Sequence, residues 1–450
     1  MSSWTDLVPP RFMAEKREQD SEKVLDSETG IIRWVSEIPI DPGEPEIFNF
    51  SAKMCDSGKI FPVGCFDSNG GAGLTREAAF RAAVGEAIER YCCSIYFPDE
   101  LFLGNHTEIS KRSRALSPNE VALFHPRQKE HIRYAWWTKD TPLCWTEGVS
   151  LKTREPVLIP ACLVYIPYYP FYRQRGELTV ASSISTGQAS AFARNAALLS
   201  GIYEVVERDA FMITWRNRLN VPRVDINSSP LVRRIYEEKL KREYLEYSLF
   251  NMTTDLNIPA ILCMIVDNSR QPPIICFGGA ANLSPEKAAL KALVEAVQTR
   301  EWAKFMGNQP RPMIIESDYS NIDDFEKHVF LYAYGNMLHA VSFLRESLQV
   351  VPFSALPDHA MGDTGKELRF ALAALEAQGY EAFAVDLTTP DVAESGFSVV
   401  KVLIPLLHPM EGDHTHPYLG GRRLYEVPRK LGYPVEHNFE SLNRDPHPYP

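Results

Sequence analysis

Long apolar runs are missing from the 450-residue sequence, and no window approaches the roughly 18 consecutive apolar residues of a membrane span. The amino terminus, MSSWTDLVPPRFMAEKREQDSEK, also lacks the apolar core of a secretory signal, so a cytoplasmic protein without membrane association is expected. An excess of positive charge is missing too. Lys and Arg number 47 against 58 Asp and Glu, a net charge of −11, which leaves no global field for a polyanion and argues against nucleic acid as a partner. The eight cysteines (55, 65, 92, 93, 144, 162, 263 and 276) contain no C-x-x-C pair and mostly sit in apolar runs. Buried reduced thiols are expected, with neither a disulfide framework nor a zinc site. No G-x-x-x-x-G-K-[ST] phosphate loop occurs, although Gly70, Gly71 and Gly73 precede a helical stretch. With 25 Gly and 33 Pro the chain is too poor in both for low complexity.

The remaining pattern is mixed α and β. Apolar runs rich in Val and Ile at 157–166, 258–266, 274–278, 382–387 and 399–404 suit buried strands. Helical stretches are expected at 75–91, 193–219, 284–306, 323–348 and 366–378, the last ending at Gly379 as a C′ glycine. Residues 1–60 read as an arm with a strand near 30–35, residues 61–435 as one large domain, and residues 436–450 as a proline-rich tail.

An internal repeat carries the main signal. Leu74, Glu77 and Glu86 match Leu283, Glu286 and Glu295 in spacing, and a third segment from Arg194 to Arg208 repeats the ending with Glu204, Glu207 and Arg208. Three helices on one plan imply pseudo-symmetric subdomains. Thr75 and Ser284 are suitable N-caps, and Pro285 fits the first helical position. Two of these helices carry E-x-x-E-R, as Glu86, Glu89 and Arg90 and as Glu204, Glu207 and Arg208. Residues three apart share a helix face, so each pair sets two like charges one turn apart, which is unfavourable unless a cation lies between them. A single copy would read as a solvated face with local Glu–Arg pairing. Here both copies are embedded in apolar sequence, among Ala87, Ile88 and Tyr91 and among Val205, Val206 and Phe211. Buried carboxylates need partners or metal, and Mg²⁺ shared between carboxylates and a polyphosphate meets that need, with Arg90 and Arg208 for phosphate oxygens.

These segments resemble the YcaO family, in particular the azoline-forming cyclodehydratases of ribosomally made peptides. The resemblance runs through Gly70-Gly-Ala-Gly-Leu-Thr and Gly85-Glu-Ala-Ile-Glu-Arg-Tyr, then Ser185-Thr-Gly-Gln-Ala, Tyr203-Glu-Val-Val-Glu-Arg-Asp and Ala292-Leu-Val-Glu-Ala-Val-Gln-Thr-Arg300, and ends with Val399-Val-Lys-Val-Leu-Ile-Pro. It implies an α/β (α+β) YcaO-like fold of pseudo-symmetric helix and strand subdomains. It also implies ATP and Mg²⁺ as cofactors, with Glu86, Glu89, Glu204 and Glu207 around the metal and Arg90, Ser185, Arg208, Glu295, Gln298 and Arg300 near the nucleotide. The implied reaction is attack of a precursor peptide's Cys, Ser or Thr on the preceding backbone carbonyl, phosphorylation of that oxygen by ATP, and loss of phosphate to leave a thiazoline or oxazoline. The terminal Asp445-Pro-His-Pro-Tyr-Pro450 resembles the family's proline tail, whose final carboxylate, here on Pro450, is a candidate base; a frayed end is the plain alternative.

The sequence departs from the family at Ala191, Phe192 and Ala196, where polar and acidic nucleotide contacts are frequent, and at Ala72, where a Lys is frequent. A non-catalytic scaffold and a thioamide-forming enzyme therefore stand as alternatives. Expected partners are the precursor peptide and an E1-like, ThiF-related leader-binding protein, with a flavin dehydrogenase and a second copy of the chain as further candidates. The stretch holding His408, Glu411, Asp413, His414 and His416 reads as a polar surface loop rather than a metal site, Ser200 as packing and Cys92-Cys93 as buried.

Overall fold

Strands β1 (Ile32–Ile38), β2 (Phe48–Met54) and β3 (Ser68–Gly73) form an antiparallel sheet in the order β1-β2-β3 in the computed structural model, which describes residues 21–121, 123–169, 176–310, 313–434 and 438–450. β3 runs straight into helix α1 (Arg76–Ser94), whose N-cap Thr75 accepts from the Ala78 N–H. A second sheet contains β4 (Phe102–Gly104), β5 (Arg114–Ala115), β6 (Leu143–Ser150), β7 (Pro156–Pro160) and β8 (Gln188–Ala191), together with two strands from late in the chain. β8 feeds helix α2 (Arg194–Arg216). A third sheet has the order β12-β11-β10-β9-β13, built from β9 (Arg223–Val224), β10 (Leu245–Asn251), β11 (Ala260–Asp267), β12 (Ile274–Ala281) and β13 (Val350–Val351). β12 feeds helix α3 (Pro285–Gly307), capped by Ser284 with Pro285 in its first turn. Helices α4 (Phe325–Tyr334) and α5 (Thr364–Ala377) follow. Strands β14 (Phe383–Asp386) and β15 (Ser398–Leu403) complete the second sheet as β5-β7-β6-β14-β15-β8, with β4 on β6, and helix α6 (Arg423–Lys430) precedes the tail.

The repeat is thus three strand–helix units, and the packing explains why it recurs. Sheets and helices alternate in a ring. α1 buries Ala83, Ala87 and Ile88 against Phe50 and Ala52 of the first sheet and Val399 of the second. α2 buries Ile202, Val206 and Phe211 against Val400 and Val402 on one side and Leu262, Met264 and Phe277 on the other. α3 buries Ala289, Leu293 and Ala296 against Ile261, Cys263 and Cys276, while Ala72 of β3 packs on the same cluster. Successive residues of β11 and β12 point to opposite faces, so the two fully buried strands serve α2 with one face and α3 with the other. Close strand–helix approach requires glycine at two equivalent places. A Cβ on Gly71 would lie 2.1 Å from the Ala83 nitrogen, and one on Gly278 would lie 2.3 Å from the Ala296 nitrogen.

The expected helices are present with ends displaced by up to three residues, except one. The apolar pattern over 323–348 is not a single helix: α4 stops at Tyr334, where Gly335 and the left-handed Asn336 (φ 57°) turn the chain, and a short helical turn at Ser342–Arg345 follows. The apolar run 157–166 is strand only to Pro160, because Ala161–Leu163 turns as a 3₁₀ segment. Of the segment read as an arm, β1 and β2 are integral to the first sheet. All eight cysteines are free thiols, six of them buried, as expected.

Candidate metal and nucleotide site

The ring brings the acidic faces of α1, α2 and α3 toward one centre. Arg90 lies 3.5 Å from Glu86 and 3.4 Å from Glu89. Arg208 repeats the arrangement at 3.7 Å from Glu204 and 3.2 Å from Glu207. Lys291 sits 3.5 Å from Glu295. These separations exceed the roughly 2.7–2.9 Å of a direct charge-assisted bond, so the local cations compensate the carboxylates only in part. Burial is uneven, with Glu86 40 % exposed at the mouth and Glu207 3 % exposed at the base. Removal from water raises the Glu86 carboxyl, and the charges of Glu204 and Glu295 raise it further. Burial, reinforced by Glu204 and Glu86, lifts Glu89 to about 8, and burial reinforced by Glu295 lifts Glu207 to about 7.

This donor chemistry fits Mg²⁺ shared with phosphate. All donors are hard carboxylate oxygens, and among the described residues no three of them converge as a complete protein cage. Mg²⁺ typically takes one or two carboxylates and completes its shell with phosphate and water. Arg208 fits an anionic ligand, since its buried Nε makes no hydrogen bond. The site is costly without its cation. The Glu89 and Glu207 carboxyls bind protons more tightly folded than unfolded, so metal-free stability falls as pH rises from about 4.5 toward 8. Lys401, held at about 8 by burial, acts above that window. The expected result is a melting temperature lower at pH 8 than at pH 6 without metal, with the difference narrowed by Mg²⁺ and ADP, read by scanning calorimetry.

Other residues expected at the site are placed as follows. Gln298 reaches β3, where a Cβ on Gly70 would lie 3.5 Å from its Nε2. The Ser185 carbonyl accepts the Gln188 N–H at 2.8 Å, closing the turn before β8. Arg300 is not brought to the cluster. Its buried guanidinium donates to Asp267 at 2.6 Å and to Glu44 and Glu301 at 2.7 Å, tying α3 to β11 and to the segment before β2. Phe192 packs on Phe397 with ring centroids 4.1 Å apart, so this departure from the family pattern is filled by apolar packing.

Three residues to which the sequence reading gave no role support the site. The Gly187 N–H donates to Glu204 at 3.2 Å, and Gln188 accepts from Arg90 at 3.2 Å, so one turn holds both E-x-x-E-R motifs. Buried Lys401 of β15 donates to the Ile184 and Thr186 carbonyls at 2.8 and 2.7 Å, fixing that turn. A lone Lys within Val399-Val-Lys-Val-Leu was the available signal. Beside it a cavity of about 200 Å³ is lined by Val205, Lys401, Ile404, Leu123 and Tyr418.

The tail is buried. Asn443 and Arg216 exchange backbone and side-chain bonds, Trp215 donates to the Asp445 carbonyl at 3.2 Å, and Tyr332 donates to the Pro446 carbonyl at 2.7 Å. His447 stacks on His328 at 3.9 Å, and half-buried Pro450 ends the chain next to Tyr449, whose hydroxyl donates to Glu207. The stretch read as a polar surface loop is instead part of the core beneath the tail: His408 and Glu411 are each 1 % exposed and Asp413 is 3 % exposed. Glu411 pairs with buried Arg216, and its carbonyl is 2.7 Å from His447 Nε2. The charges of the stretch are paired inside the fold, Glu411 with Arg216 and Asp413 with Arg133 and His416.

Two strand–helix units that each present a glutamate pair and an arginine, joined by Glu295 of the third, form a site suited to a metal and a nucleotide. The chain belongs to the YcaO family: the model described as YcaO cyclodehydratase, ATP- and Mg²⁺-binding, matches residues 70–408. As a member of that family the chain carries an ATP- and Mg²⁺-binding domain. An uncharacterized protein of Methanothermobacter thermautotrophicus is 26 % identical over 363 residues, covering 79 % of this chain and 84 % of that protein. The fold is similar to a heterocyclase in complex with substrate and cofactor (TM-score 0.76, 22 % identity, 98 % of this chain and 59 % of that one). It is also similar to YcaO from Methanopyrus kandleri bound with AMPPCP and Mg²⁺ (TM-score 0.59, 20 % identity, 83 % of this chain and 85 % of that one). The mixed fold of helices and pseudo-symmetric strand units agrees with the sequence reading. No helix among the described residues is long and apolar enough to cross a membrane.

Proposed function

We propose that the protein forms thiazoline or oxazoline rings in a ribosomally made peptide by ATP-dependent cyclodehydration. The observation that carries this reading is the arrival of the proline tail at Glu207, inside the same cleft that gathers Glu86, Glu89, Glu204 and Glu295. ATP with Mg²⁺ supplies the phosphoryl group that turns a poor leaving oxygen into phosphate. The chain's residues do the rest. The glutamates hold the cation, Arg90 and Arg208 meet phosphate oxygens, Ser185, Glu295 and Gln298 border the nucleotide, and the Pro450 carboxylate accepts the proton of the attacking thiol or hydroxyl. That side chain adds to the preceding carbonyl carbon, the carbonyl oxygen takes the phosphoryl group, and its departure as phosphate leaves a C=N bond. Each ring thus consumes one ATP and removes the elements of water from the peptide.

The apolar cavity beside Lys401 offers room for a substrate side chain. For peptide delivery by an E1-like, ThiF-related protein, β1, at the end of its sheet with Trp34 and Ile38 each 49 % exposed, offers a docking face. A flavin dehydrogenase would act later, on the finished ring. The test is mass spectrometry of a Cys-, Ser- and Thr-rich precursor incubated with the protein, its partner, Mg²⁺ and ATP. Loss of one water per ring with one phosphate released is the expected result. Exchange of oxygen for sulfur would make the enzyme a thioamide-forming one, and an unchanged peptide with no phosphate would leave a scaffold.

A further inference from the structure

The tail is held at many points upstream, yet its penultimate side chain is the one that touches the metal-binding set. Tyr449 is fully buried, its hydroxyl donates to Glu207 Oε1, and the Arg208 guanidinium lies 4.3 Å above its ring. The ring packs on Phe211 with centroids 4.5 Å apart. The hydroxyl sits in a place made for it, since a Cβ on Gly279 of β12 would lie 2.1 Å from that oxygen. The Tyr449 N–H is 3.2 Å from His447 Nδ1, and the His447 carbonyl lies 2.6 Å from His328 Nδ1, so the ring's approach is set by the backbone on both sides. Oε1 of Glu207 is thus shared by Tyr449 and Arg208.

We propose that Tyr449 is a positioning residue of the metal–nucleotide site, holding Glu207 so that docking of the tail and binding of Mg²⁺ with nucleotide reinforce each other. The proposal rests on the ATP and Mg²⁺ reading of the cleft, and it differs from a tail that contributes only a terminal base. A base acts on the peptide and leaves nucleotide affinity unchanged, whereas a tail that orients a metal carboxylate must alter that affinity. Reciprocity then requires the nucleotide to tighten the tail.

Tyr449→Phe keeps the ring on Phe211 and under Arg208 and removes only the hydroxyl. Binding of AMPPCP with Mg²⁺ is measured by calorimetry without peptide, and amide hydrogen exchange is followed over residues 443–450 in the same samples. The expected result is binding weakened about tenfold in Tyr449→Phe, with a larger loss on deleting Tyr449 and Pro450. Nucleotide with Mg²⁺ should slow exchange of the tail in the wild type by at least about tenfold and in Tyr449→Phe by less. Equal affinity in wild type and Tyr449→Phe, with tail exchange indifferent to nucleotide, overturns the proposal and leaves the cofactor assignment standing. No binding by the wild type overturns both.

Discussion

Replacing Glu89 by Gln should lower cyclodehydration by roughly 10²–10³-fold while raising the melting temperature of the metal-free protein. The two effects share a cause. Glu89 is 15 % exposed, its carboxyl is pushed up to about 8 by burial, and the Glu204 and Glu86 charges press on it. Gln keeps the size of the side chain and removes a buried carboxyl whose ionisation Arg90, at 3.4 Å, compensates only partly. Relief of about 1 kcal/mol corresponds to a gain of roughly 2 °C or less in a chain of this length. The same change deletes a ligand that the cation requires. Steady-state rates and calorimetry on one preparation decide the matter, since a merely structural glutamate would lose stability and activity together.

Arg423→Leu should be the most destabilising single change in the scaffold around the site. Arg423 is fully buried and donates to Asp209 through Nε at 2.8 Å and Nη2 at 2.7 Å, to Asp255 at 2.8 Å and to the Tyr380 hydroxyl at 2.8 Å. Asp209 adjoins Arg208 on α2 and also accepts the His408 N–H at 2.8 Å. Removing the guanidinium strands a buried carboxylate, at a cost of about 3–5 kcal/mol. Adding Asp209→Leu should return part of that loss, because the unpaired charge goes with it. Urea midpoints of the two single variants and the double variant measure the coupling.

The acid pairs were legible because helix spacing alone sets residues three apart on one face, and the capping residues Thr75 and Ser284 marked where two of the helices begin. The three-unit plan was legible from the repeat, although its meaning as a ring of alternating sheets and helices was not, since sheet pairing is non-local. Arg300 shows the limit. It falls one residue beyond the register of Arg90 and Arg208, and Asp267 and Glu44, far away in sequence, claim its guanidinium. The His408 to His416 stretch looked polar and therefore exposed, because nothing local reveals that Arg216 and Arg133 will pair its charges. Gly187, Gln188 and Lys401 form a support that joins β8, β15 and the first two motif helices, and their local traces, the Ser185-Thr-Gly-Gln segment and a lone lysine in an apolar strand, do not reveal these partners.

The account's central claim is that a phosphoryl group passes to the peptide's own backbone oxygen in the cleft of paired glutamates. A precursor peptide carrying heavy oxygen at the carbonyl before its reacting Cys or Ser tests this directly, by mass analysis of the phosphate released as rings form. The account predicts one labelled phosphate per ring with the wild type and none with Glu89→Gln. Ring formation accompanied by unlabelled phosphate, with the heavy oxygen recovered in water, would contradict it.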